Sequence, residues 1–110
     1  MAYKASRLAH HSAVVTGASS GIGLAIAEAL AAAGCAVAVN YHSHAEAAQE
    51  LVDRIIDQGG RAIAIQADVS KEEEVIRLFD EATTAFGRID VLISNSGIQK
   101  DAAIADMSLG

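Results

Sequence analysis

Short β-branched runs alternate with longer stretches of helical period along this chain, and that order restricts its fold more than any other feature. Ala13-Val14-Val15-Thr16 is apolar and stopped by Gly17, as a buried strand is. An alanine-rich segment from Ile22 to Ala33 follows, with Ile22, Ile26, Ala29, Leu30 and Ala33 on one helical face and Gly34 at the place of a left-handed cap. Ala36 to Asn40 predicts a second strand, and Ala62 to Ala67 a third. Between them, from about His44 to Asp57, Ala48, Leu51, Val52 and Ile55 stand at helical spacing before Gly59-Gly60. Ser70 followed by Glu73 predicts a capping box, opening a helix that buries Val75, Leu78, Phe79, Ala82 and Phe86 and closes at Gly87. Ile89 to Ser94 predicts a fourth strand. Such alternation implies an α/β fold, with parallel strands joined by right-handed crossovers and helices on both faces of the sheet.

Composition removes several classes of function. The chain has 110 residues, 52% hydrophobic and 20% charged, with no proline. Its mean hydropathy is +0.29, so it carries enough apolar surface to offset ordering entropy, and disorder is excluded. A net charge of −6 argues against a broad nucleic-acid-binding surface. No apolar run approaches the ~20 residues needed to cross a bilayer. A single cysteine, Cys35, cannot form an internal disulfide and reads as a buried packing thiol. The expectation is a soluble cytoplasmic domain. Residues 1–12 read as a lead-in tail, and His10 and His11, being adjacent, point apart in an extended chain and do not share a metal. No metal site is expected.

The turn between the first strand and first helix carries the chemistry: Thr16-Gly17-Ala18-Ser19-Ser20-Gly21-Ile22-Gly23. A helix start has unpaired N–H groups and positive partial charge, so it attracts phosphate. Gly17 permits the tight turn, Gly21 lets a pyrophosphate approach the backbone, and Gly23 lets the helix pack closely. Ser19 and Ser20 add hydroxyl donors. The spacing is not a P-loop, because Leu24 and Ala25 follow Gly23 where a lysine and a hydroxyl residue would stand.

This octet resembles the cofactor motif of the short-chain dehydrogenase/reductase family. Asp68-Val69 after the third strand and Asn95-Ser96-Gly97 after the fourth are further matches in order, although the family usually has alanine at the position of Ser96. Gly97-Ile98-Gln99-Lys100-Asp101 and Asp106-Met107 are similar to the glucose-dehydrogenase-like and 3-oxoacyl-carrier-protein-reductase-like branches. The resemblance implies a Rossmann-type doubly wound parallel sheet, of which residues 13–110 supply the first four strands and their helices. It also implies an NAD(P)-dependent oxidoreductase moving hydride between nicotinamide and an alcohol or ketone. In that setting Asp68 accepts from the adenine amino group and Val69 holds the ring, unless Asp68 merely begins the turn before Ser70. Asn95 lies by the ribose in that family and also helps tie neighbouring strands together through its amide. Ile22 belongs to the same phosphate-side turn.

Cofactor choice is read at the end of the second strand, where an acid would hold the ribose 2′-hydroxyl of NAD and repel a 2′-phosphate. Asn40-Tyr41-His42-Ser43-His44 contains no acid, which favours NADP over NAD. His42 and Ser43 are either phosphate donors or solvated loop residues. The family's acid is a tyrosine with a lysine four residues later, assisted by a serine. Here Arg7 follows Tyr3 and Ala45 follows Tyr41 at that spacing. No residue is therefore assigned a catalytic role, and the resemblance puts that machinery beyond Gly110. A homo-oligomer is expected for the enzyme. The competing reading is a stand-alone dinucleotide-binding module without catalysis.

Overall fold

The computed structural model describes residues 9–18 and 21–95. Four parallel strands form one sheet: β1 (Ser12–Thr16), β2 (Ala36–Tyr41), β3 (Ala62–Gln66) and β4 (Val91–Ser94). Helices α1 (Gly21–Ala32), α2 (Ala45–Asp57) and α3 (Glu72–Phe86) connect them. The spatial order is β3-β2-β1-β4. The chain steps outward from β1 to β3 and then crosses back to lay β4 on the free side of β1. That reversal makes the doubly wound, Rossmann-type switch point between β1 and β4.

Period-two alternation explains how the central strands are buried on both faces. Val15, Val37 and Val39 point to one side, where Ala27 and Ala31 of α1 and Leu51, Val52 and Ile55 of α2 complete a core. Val14 and Ala38 point to the other, against Leu78 and Ala82 of α3. The pairing Val14↔Ala38 and Val15↔Val39 keeps like faces together. β1 is buried along its whole length, whereas β4, at the edge, is half-buried.

The expected elements all form, with corrected edges. Ser12, assigned to the lead-in tail, opens β1, its N–H donating to Asp90 Oδ2 at 2.9 Å. Ile89 and Asp90 stay outside β4, although the Asp90 N–H still donates to the Ser12 carbonyl of β1 at 2.8 Å. In α1 the inward face is Gly23, Ala27 and Ala31, not the face headed by Ile22, which is 70% exposed. This helix is apolar nearly all round, so period alone cannot orient it. Its smallest side chains turn inward because they permit the closest approach to the sheet. α2 buries the four residues expected, and α3 buries Leu78 and Ala82 while Phe79 and Phe86 pack half-buried on the same core. Val75 is half-buried.

The capping box does not form as expected. Lys71 is the N-cap of α3 and makes no side-chain cap bond. Ser70 turns its hydroxyl away from the helix, onto Asp68 Oδ1 at 2.6 Å. Glu74, not Glu73, reaches back, and its Oε1 accepts the N–H of Asp68 at 2.9 Å. The turn from Asp68 to Lys71, closed by Lys71 N–H to Asp68 O at 3.0 Å, moves the helix start on by one residue.

Candidate functional site

The carboxyl ends of all four strands converge on one cleft of about 480 Å³, lined by Gly17, Asn40, His42, Ala67, Asp68, Val69, Ser70 and Ser94. Open α/β sheets hold ligands at this end, outside the switch point. Of the sequence-derived candidates, Gly17, Asn40, His42, Asp68 and Val69 line the cleft directly. Ser19, Ser20, Ser96 and Gly97 lie outside the described residues, as do residues 98–101, 106 and 107.

Gly17 and Gly21 are both left-handed, at φ 62° and 61°. A Cβ built on Gly21 has no atom within 4 Å, so the backbone there faces open space. Gly23 is the opposite case. A Cβ on it would strike the Gly17 carbonyl and stand 2.6 Å from Asn95 Nδ2. One glycine thus leaves room for a ligand, and the other lets α1 dock on the turn. α1 carries no acid in its first turn, unlike α2 with Glu46 and α3 with Glu72, Glu73 and Glu74. Nothing on the first turn of α1 offsets the positive end of its dipole.

Asn40 lines the floor of the cleft and is only 2% exposed. Its Oδ1 accepts the Gly17 N–H at 3.3 Å, and its Nδ2 donates to the carbonyls of Ile65 and Ala67 at 3.3 and 3.2 Å. Its main-chain carbonyl accepts the Ala18 N–H at 3.1 Å. The side chain is thereby committed to joining β1, β2 and β3 beneath the turn. Asn95 does similar work from β4: its Nδ2 donates to the Gly17 carbonyl at 3.2 Å and its N–H to the Thr16 hydroxyl at 2.9 Å. Tyr41 is half-buried against the α1–α2 core, while His42 and Ser43 are exposed at the rim. The loop enters α2 through His44, which adopts a left-handed conformation at φ 67° without a side-chain cap bond.

Asp68 occupies the far wall. Its Oδ1 accepts both the hydroxyl and the N–H of Ser70, at 2.6 and 3.0 Å, an Asx-type turn. Its Oδ2 faces His42 Nε2 at 3.8 Å. The Ser70 hydroxyl and then the Ser70 amide hold the Asp68 carboxyl below the usual range, with a smaller contribution from His42. The Asp68 N–H lowers Glu74 in the same way, helped by Arg77. Sequence reasoning missed Glu74 and Arg77 as parts of this wall. Their spacing on one helix face was visible, but nothing local announces a reach back to Asp68. Cys35, by contrast, is 1% exposed at the amino end of β2, and burial pushes its thiol up to about 11.

A doubly wound domain with its open cleft at the carboxyl ends of the strands, under a glycine turn, is what fold and site define. The chain belongs to the short chain dehydrogenase family, whose model matches residues 11–110. It is 46% identical over 107 residues to elsinochrome reductase 1 of Elsinoe fawcettii, covering 97% of this chain and 40% of that protein. It is 46% identical over 99 residues to glucose 1-dehydrogenase 2 of Bacillus subtilis strain 168, covering 89% of this chain and 38% of that protein. The angucycline C-6 ketoreductase LanV with bound NADP superposes with a TM-score of 0.78 at 38% identity, over 89% of this chain and 40% of that one. The chain therefore spans about two fifths of the length of these proteins. Among the described residues, no helix is long and apolar enough to cross a membrane.

Proposed function

We propose that residues 13–110 form the amino-terminal, cofactor-binding part of an NAD(P)-dependent oxidoreductase acting on a small alcohol or carbonyl substrate. The observation that carries this reading is the open backbone at Gly21, with no atom within 4 Å of its Cβ position, at a helix start free of acids. The amides of a helix's first turn are suited to a diphosphate. Asn40 and Asn95 hold Gly17 from both sides. Asp68 supplies an acceptor for the adenine amino group, and the Val69 main chain holds the ring. Asn95, with Ser96 and Gly97 after it in the sequence, is assigned to the ribose on the family resemblance.

When bound, a nicotinamide dinucleotide supplies the hydride donor or acceptor. This chain's contribution is to grip and orient it. Neither Tyr3 nor Tyr41 precedes a lysine at the family's spacing, so proton transfer is assigned to residues outside this stretch. NADP is the preferred cofactor, since the sequence Asn40-Tyr41-His42-Ser43 at the end of β2 includes no acid to repel a 2′-phosphate. The bound NADP of LanV supports the same choice. Cytoplasmic residence accords with a lone buried thiol, and homo-oligomerisation rests on the family resemblance.

The test is Gly21→Leu in the full-length protein. It is expected to keep the far-ultraviolet circular dichroism of the fold and lower NADPH affinity at least about tenfold by calorimetry. Unaltered affinity removes the diphosphate assignment. Thermal shifts with NADPH and NADH test cofactor choice, because a ligand of the native state stabilises it by mass action. A larger shift with NADH overturns the NADP preference.

A further inference from the structure

We infer that Glu74, held by Arg77, is a positioning residue that fixes the Asp68 carboxylate so that the cleft accepts a purine bearing an amino group; this rests on the nucleotide-binding reading above. Glu74 Oε1 receives two donors, the Asp68 N–H at 2.9 Å and Arg77 Nη2 at 3.2 Å. Arg77 Nη2 also donates to the Gln66 carbonyl at 2.8 Å, and Nη1 to Glu81 Oε2 at 3.2 Å. The first turns of α3 are thus stitched to the main chain on both sides of Ala67, at Gln66 and at Asp68. Charge-assisted bonds of this kind hold geometry more firmly than neutral ones.

The stitched segment is the one that carries the recognition group. Within it, Ser70 occupies Asp68 Oδ1 twice, leaving Oδ2 as the oxygen that faces His42 at 3.8 Å. A carboxylate oxygen held in one place accepts from an amino group and repels a keto oxygen. If Glu74 is removed, the Asp68 N–H loses its acceptor and Arg77 loses one of its two acids. The Asp68–Lys71 turn then keeps the Ser70 bonds and the Lys71 N–H to Asp68 O bond, but loses its tie from Asp68 to α3. The carboxylate gains freedom to rotate toward solvent, and discrimination between bases falls. Three acids open α3, and among the described residues Glu74 alone of them has a partner in the cleft wall.

The experiment compares the affinity of the full-length protein for NADPH and for deamino-NADPH, in which hypoxanthine replaces adenine. Native protein, E74A, E74Q and D68N are measured, with the unfolding midpoint of each. The native protein is expected to prefer NADPH by about tenfold, E74A by about threefold or less, and D68N not at all. E74Q keeps an acceptor oxygen but loses the ion pair with Arg77, so it is expected to fall between native and E74A. It carries the test where E74A does not fold. A loss of general stability weakens both ligands together and leaves their ratio unchanged. An undiminished ratio in the Glu74 variants overturns the inference while Asp68 keeps its role. A native ratio near one, or a D68N ratio equal to native, overturns the Asp68 reading itself.

Discussion

The Asn95 side-chain amide donates to the Gly17 carbonyl at 3.2 Å, joining residues 78 positions apart and anchoring the glycine turn to the end of β4. Gly23 lies against both partners of that bond, since a Cβ there would meet the Gly17 carbonyl and approach Asn95 Nδ2 to 2.6 Å. The turn, the helix start and the edge strand therefore form one packed unit, with no space for a methyl group among them.

Gly23→Ala tests that packing. The obstructing atom is a main-chain oxygen, which cannot swing aside as a flexible side chain can. The substitution is expected to cost about 1–3 kcal/mol in urea unfolding. Dinucleotide binding is expected to fall with it, because the turn must shift. A native unfolding midpoint would show that α1 is less tightly seated than its contacts indicate.

Asn40→Ala removes an amide that satisfies the Gly17 N–H and the carbonyls of Ile65 and Ala67. Its burial keeps water from replacing those bonds, so about 2–3 kcal/mol of stability is expected to be lost. Asn40→Asp is expected to be at least as damaging, since a carboxylate would face those two carbonyls. It would not create an NAD-selective site, because the side chain points into the sheet. Improved NADH binding by Asn40→Asp, measured by fluorescence titration, would contradict this placement.

Acid sensitivity follows from three carboxylates. Arg88, 2.8 Å from Asp90 Oδ1, and then the Ser12 N–H hold Asp90 below the ordinary range, and Asp68 and Glu74 are lowered too. A group whose folded value is depressed contributes stability above its unfolded value, near 4, and loses it as pH falls through the folded value. Urea midpoints are expected to be level down to roughly pH 5 and to drop below roughly pH 4. Asp90→Asn should be less stable than native near neutrality and show a shallower acid drop. Parallel profiles for the two proteins would dismiss the Asp90 contribution.

Cys35 has the reverse sign. Its thiol is raised from 9.0 to about 11, so its share of stability is intact below the unfolded value and disappears as pH climbs through about 11. At neutral pH the native thiol is protonated and 1% exposed. Alkylation by iodoacetamide is expected to proceed only through unfolding, with rates rising in step with added urea. Rapid labelling of native protein would show that the amino end of β2 opens locally.

The order of strands and helices was legible because each rests on local period and on glycine stops. Leu51, Val52 and Ile55 follow helical spacing, and they are buried as expected. The orientation of α1 was not legible, since Ile22 and Ala27 are both apolar and only the fit against Gly17 and the sheet selects between them. Nor was the partner of the acids opening α3. Glu72, Glu73 and Glu74 are chemically alike, and which one reaches back depends on the start of α3 after Lys71. In the site, Asp68 and the glycines stood out in the sequence, whereas Arg77 looked like any surface arginine.

Local chemistry by itself determined the elements of this protein, because backbone preference and side-chain period act over a few residues. Its membership of a dinucleotide-type α/β class was readable for the same reason, through the glycine octet. Only the tertiary structure decided what those elements hold in place. Closing β4 against β1 brings Asn95 to Gly17, laying α3 on the sheet brings Glu74 to Asp68, and pairing β2 with β3 commits Asn40 to the sheet. Each of these contacts joins an element to a neighbour it meets only after the sheet is assembled, and no short-range preference encodes such a meeting.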